Sequence, residues 1–187
     1  ISVWRAPTPV TRTPVEAEAG RLFIIVSGEA TDVDRVLQRA LVGARDHRVV
    51  GGPSTASLFK SVQNGLGLVQ LTAIAEALAL VASAGGDLNA FIDLGGEGGG
   101  MAATPRCRAK APAMRDPNAS AVGKLYNGAK DAARAAGLAE AEGLDLPLFR
   151  RSESVYRAAI AAGLAERDIS AIVRVIEAET GARIARS

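Results

Sequence analysis

The chain has 187 residues, 48% of them apolar and 4% aromatic, with a formal net charge of +2. That length and apolar share support one sizeable core, or one domain plus part of another, and exclude intrinsic disorder. The near-balanced charge carries no basic block interleaved with aromatics, which excludes a nucleic-acid-binding reading, and a single cysteine excludes an internal disulfide framework.

Residues 1–20, with prolines at 7, 9 and 14, read as loop with a short strand. Arg21 to Ser27 is an apolar, β-branched run closed by Gly28, a strand signal. Thr31-Asp32-Val33-Asp34 then reads as a helix cap with an acidic first turn, followed by Val33, Val36, Leu37, Ala40 and Leu41 at helical spacing. His47 to Val50 predicts another short strand. The first fifty residues are therefore α/β in character.

After Gly51-Gly52-Pro53 the pattern changes. Ser54 or Thr55 is placed to cap a long helix from about Ala56 to Ala84, apolar on more than one face and so expected in the middle of a bundle. Its stretch from Leu66 to Ala84 approaches membrane-span length, but Gln70, Thr72, Glu76 and several alanines favour a buried helix over a lipid-facing one. Gly85-Gly86 ends it, and Asp87 caps a shorter helix through Leu94. Residues 95–118 are Gly-, Pro- and Arg-rich and read as a long loop. Helices follow at about Ala119 to Glu142, from Pro147 to about Ala162, and from Arg167 to Thr180.

Few residues offer chemistry. One His and one Cys cannot build a zinc site, and His47 has no nucleophile elbow around it. Cys107 lies between Arg106 and Arg108, a setting that lowers a thiol pKa, and it reads as a surface thiol. Lys60 and Asn64 share one face of the long apolar helix. Two readings of Lys60 stand side by side: a lysine that snorkels to water, or one whose pKa falls on burial into the range an acid/base needs. Lys130-Asp131, inside an alanine-rich helix, reads by itself as a solvated face.

Taken in order, these segments resemble the β-hydroxyacid dehydrogenase family, which includes 3-hydroxyisobutyrate dehydrogenase and L-threonate dehydrogenase. Pro9-Val10-Thr11-Arg12-Thr13 and Ala17 to Leu22 stand where the family has D-A-P-V-S-G-G-x-x-G-A-x-x-G-x-L. Gly51 through Lys60, with Gln63 and Asn64, matches G-x-x-G-x-G-x-x-x-K-x-x-N-[NQ]. Lys130-Asp131 and Gly137-Leu138-Ala139 stand for the K-D-L-x-L-A helix, and Tyr156 through Gly163 to Asp168-Ile169-Ser170-Ala171 for the closing segment.

The resemblance implies an α/β remnant, the end of a Rossmann-type domain at residues 1–52, followed by an all-α helical bundle of the 6-phosphogluconate dehydrogenase C-terminal type at 53–187. It implies an NAD(P)-dependent oxidoreductase of a small β-hydroxyacid, with Lys60 as catalytic acid/base and Asn64 as substrate contact. Thr11 takes the position of the substrate-binding serine, and Lys130 closes on the cofactor, NAD or NADP; Arg12, from its charge alone and not from the family, reads as a contact for an anionic group. A cytoplasmic homodimer or higher homo-oligomer is expected, with no nucleic-acid or membrane partner. The chain departs from the family in having Thr11-Arg12-Thr13 where the family has Ser-Gly-Gly, and it carries no G-x-G-x-x-G fingerprint. Together with a first residue of Ile1 rather than Met, that leads us to expect the nucleotide-binding half upstream. A non-catalytic helical dimerisation or ligand-binding module and a 6-phosphogluconate-type decarboxylating enzyme are the competing readings.

Overall fold

A computed structural model describes residues 7–11, 17–40, 44–96, 100 and 102–185. The chain forms two compact units, Ile1–Gln63 and Asn64–Ser187.

In the first unit, β1 (Val10–Thr11), β2 (Leu22–Val26) and β3 (Ala44–Val49) make a three-stranded sheet in that order. β1 runs antiparallel to β2, with Thr11 opposite Phe23. β2 and β3 are parallel, with Val26 opposite Val49. Parallel neighbours need a crossover, supplied by α1 (Ala30–Ala40). Ile24, Val26 and Val33 form a small core, with Val36 and Leu37 against it. α1 begins one residue before the predicted cap. Glu29 starts it through its carbonyl, which accepts from the N–H groups of Asp32 and Val33, each at 3.0 Å, so Thr31 lies inside the first turn.

The long helix, α2, spans Thr55–Ser83. The predicted cap by Ser54 or Thr55 is replaced by a tertiary one. Ser54 has φ 74°, which takes it out of the extended conformation an N-cap uses. The Ser27 hydroxyl at the end of β2 instead accepts the N–H of Ala56 at 3.1 Å, in a buried setting. One of the unpaired N–H groups of the first helical turn is thus satisfied from the sheet.

The second unit is helical. Around α2 from Asn64 onward stand α3 (Leu88–Gly96), α4 (Pro105–Arg115), α5 (Leu125–Ala141), α6 (Pro147–Ala161), a 3-10 turn (Ile169–Ile172) and α7 (Val173–Thr180). Leu68, Leu71, Ala75 and Leu78 of α2 join Met114, Leu125, Val155, Tyr156, Ile172, Ile176 and Ile184 in one core. α2 is not buried on all sides as its composition suggested: Leu66 is 50% exposed and Leu80 72%. An 18-residue window of α2 has mean hydropathy 1.8, which makes it the one helix among the described residues that is long and apolar enough to cross a membrane. The core of this unit accounts for that apolarity in the residues just named.

The loop expected over residues 95–118 contains a helix, α4. Thr104 caps it, accepting from the N–H of Cys107 at 3.1 Å, and Pro105 occupies the first turn, where its missing N–H costs nothing. Cys107, Ala111 and Met114, spaced four and three residues apart, are its buried stripe, and they hold the helix through Pro112. Cys107 is therefore buried, not a surface thiol. Burial raises its pKa and outweighs the lowering effect of Arg108.

α5 starts at Leu125, later than its composition suggested, because the preceding residues are used elsewhere. Lys124 bridges Asp168 in an antiparallel pair, and Ile169 N–H donates to the Gly123 carbonyl at 2.8 Å. Asp168 is 2% exposed and collects four donors: Lys110 Nζ at 2.9 Å, and the N–H groups of Ser170 (3.0 Å), Val122 (3.0 Å) and Gly123 (3.3 Å). Burial by itself raises the pKa of Asp168, but hydrogen bonds from Ser170 and Lys110 outweigh it and hold the group below the usual carboxylate range. The expected last helix from Arg167 is split by this cluster into the 3-10 turn and α7.

Candidate functional site

Lys60 lies in the second turn of α2 and is half-buried. Asn64 follows four residues later on the same face and is also half-buried. Thr11 is the last residue of β1. Arg12 lies outside the described residues. Lys130 is exposed on α5, beside half-buried Asp131.

The two family-like motifs meet at one bond. Asn64 Nδ2 donates to Asp131 Oδ2 at 2.8 Å, across 67 residues of sequence. A carboxylate offers only acceptors, so it selects the NH₂ end of the carboxamide and leaves Asn64 Oδ1 turned to other donors. Asp131, which the sequence presented as solvated surface, is therefore a structural partner of the substrate-contact candidate.

Helix approach makes that contact possible. Gly65, next to Asn64, is buried; a Cβ there would stand 2.5 Å from the Ala135 Cβ of α5 and 2.7 Å from Phe149 Cε1 of α6. Only a glycine permits α2 and α5 to come this close, and Ala135 lies one turn beyond Asp131. Two residues on, Gly67 is covered by a side chain of α4: a Cβ at 67 would be 2.8 Å from Arg106 Nη2 and 3.0 Å from its Cζ. Glycines five and seven residues after Lys60 were the available sequence signal for a crowded helix face, but they identified neither Asp131 nor Arg106 as the partner.

Metal chemistry finds no scaffold: among the described residues there is no group of three His, Cys, Asp or Glu side chains able to hold an ion. A dinucleotide fits in part. Its phosphates are commonly cradled by free N–H groups at a glycine-rich strand-to-helix turn. Here the β2–α1 turn reads Ser27-Gly28-Glu29-Ala30, and the Ala56 N–H at the start of α2 is taken by Ser27. What the chain offers instead is a half-buried lysine, a carboxamide oriented by Asp131 and the exposed cation of Lys130, none of which is a phosphate cradle.

Residues 54–176 match the protein family described as NAD-binding of NADP-dependent 3-hydroxyisobutyrate dehydrogenase. A curated relative, glyoxylate/succinic semialdehyde reductase 2, chloroplastic, of Arabidopsis thaliana, is 24% identical over 170 residues, covering 91% of this chain and 47% of the relative. Two solved structures share the fold. The 3-hydroxyisobutyrate dehydrogenase of Salmonella typhimurium has a TM-score of 0.80 at 24% identity, over 91% of this chain and 59% of that one. The Mycobacterium tuberculosis 3-hydroxyisobutyrate dehydrogenase with L-serine has a TM-score of 0.72 at 24% identity, over 91% and 60%. The chain thus spans about half the length of the curated relative it matches. Its α/β remnant followed by an all-α bundle is the C-terminal architecture of these dehydrogenases, and with the family match running from the start of α2 into α7, the chain belongs to the β-hydroxyacid dehydrogenase family.

Proposed function

We propose that this chain supplies the proton-transfer and substrate-holding part of an NAD(P)-dependent oxidoreductase acting on a small β-hydroxyacid. The Asn64–Asp131 hydrogen bond carries the reading, because it orients a carboxamide one helical turn from a half-buried lysine. In the oxidative direction a neutral Lys60 accepts the hydroxyl proton as the carbinol carbon loses hydride, and in reduction protonated Lys60 returns it. NAD or NADP, when bound, supplies the hydride acceptor. Asn64 Oδ1 accepts from the substrate hydroxyl or from the Lys60 ammonium. Thr11 and Arg12 complete the substrate contacts, and Lys130 holds the cofactor's edge. Residues 1–52 are read as the end of an NAD(P)-binding domain whose fingerprint precedes this stretch, and 53–187 as the substrate and dimerisation domain.

The test is steady-state turnover of β-hydroxyacids by the complete natural protein. Lys60→Met is expected to lower kcat by about 10²- to 10⁴-fold, the usual worth of a positioned acid/base, with an unchanged melting temperature. A kcat within a few-fold of wild type would remove Lys60 from the mechanism.

A cytoplasmic homodimer or higher oligomer belongs to the same proposal. Leu80, Leu94 and Leu148, at 72%, 66% and 68% exposure, support self-association through the helical unit. They equally favour a second reading, a non-catalytic dimerisation or ligand-binding module of the same family, which full activity loss in Lys60→Met would exclude.

A further inference from the structure

The face of α2 that carries Lys60 and Asn64 continues through Gly67 to Leu71, at spacings of four, three and four residues. Arg106, in the first turn of α4, lays its guanidinium on this stripe. A Cβ at position 67 would lie 2.8, 3.0 and 3.3 Å from its Nη2, Cζ and Nε, so the planar group rests flat where only glycine leaves room. Arg106 is solvent-exposed. Among the described residues it makes no hydrogen bond or ion pair. The buried carboxylate of Asp168 is already occupied by Lys110 and three backbone N–H groups.

A second orphan is buried in the same helical unit. The hydroxyl of Tyr156 is fully buried and has no hydrogen-bond partner, and Arg106 is the cation whose charge reaches it. The ring edge of Tyr156 abuts Gly128 of α5, one turn before Asp131, with Cε1 only 2.8 Å from where a Cβ would stand. Buried hydroxyls are seldom left unsatisfied, so this one stands as a further donor without an acceptor.

We propose that Arg106, seated on Gly67, is the residue that binds the carboxylate of the substrate acid. The proposal rests on the β-hydroxyacid reading above and adds a specificity residue to it. Asn64 and Gly67 are three residues apart on one face, about 5–6 Å between Cβ positions. That separation lets one small hydroxyacid place its hydroxyl at Asn64 and its carboxylate at the guanidinium. The planar fork of Arg106 suits bidentate carboxylate recognition, which a lysine would not reproduce.

The complete protein tests this with a 3-hydroxy acid and its neutral methyl ester. Arg106→Gln is expected to raise KM for the acid by about 10- to 100-fold, with kcat within a few-fold and ester turnover unchanged. Arg106→Lys should recover part of the loss, and it stands in if the glutamine variant is unstable. An undiminished acid-over-ester preference in Arg106→Gln overturns the proposal. If no β-hydroxyacid is oxidised at all, the function proposed above fails, and Arg106 is then judged by calorimetric binding of malonate, which needs no turnover. Malonate bound by wild type and lost in Arg106→Gln supports the anion site. No malonate binding to wild type, or equal binding by the variant, overturns it.

Discussion

Asp168 shows how much a single carboxylate can organise. It ties α4, the segment before α5 and the 3-10 turn together through Lys110 and three N–H groups. Its pKa is held low in the folded state despite burial, as is that of Glu177, where burial is outweighed by the N–H groups of Ala185 and Ile184 and by Arg174. Depressed carboxylate pKa values contribute stability that is complete above the unfolded pKa of about 4 and is lost as pH falls through the lower folded value. Urea unfolding should therefore show a free energy that is flat near neutrality and falls below about pH 5. Asp168→Asn should cost about 3 kcal/mol at pH 7, by leaving Lys110 without its partner, and should flatten that acid dependence. A variant with unchanged midpoint and unchanged pH slope would deny Asp168 this role. At the same scale, spacing showed that Lys60 and Asn64 share a helix face, and the family resemblance made them site candidates. Asp131 and Arg106 were not legible, because their partners lie 67 and 39 residues away in sequence and a lone charged residue on a helix reads as surface.

Among the elements, the α2–α5 approach is the most constrained. Gly65→Ala would bring a Cβ within 2.5 Å of another Cβ, which cannot rotate away, so α5 would have to shift and carry Asp131 with it. The intrinsic gain from replacing a helical glycine, about 1 kcal/mol, is then outweighed by overpacking of about 1–3 kcal/mol. Gly137→Ala on α5 is the matched control, since nothing lies within 4 Å of its Cβ position, and it should stabilise by up to about 1 kcal/mol. Thermal melts of the two variants moving in the same direction would refute the argument. α4 shows why an element was missed. Glycine and proline content suggested a loop, whereas Thr104, Pro105 and the Cys107–Ala111–Met114 stripe were a complete cap, start and buried face. Local punctuation outweighed periodicity in the sequence reading, and burial reversed the order in the fold.

For the molecule as a whole, the exposed leucines of α2, α3 and α6 give the prediction. Light scattering of the complete protein should report a dimer or larger species, and Leu80→Glu should lower the mass or raise the dissociation constant at least tenfold without lowering helicity. A monomer at all concentrations would remove self-association from the proposal. The order of elements, an α/β piece and then helices, could be read directly from the sequence because hydrophobic period and turn residues are local properties. So could the family, because its motifs are contiguous. What caps α2, which end of the Asn64 amide faces outward, and where the Arg106 charge rests were decided only by tertiary structure. Ser27, Asp131 and Gly67 reach their partners through packing of segments far apart in the chain, and no local pattern encodes the distance between them.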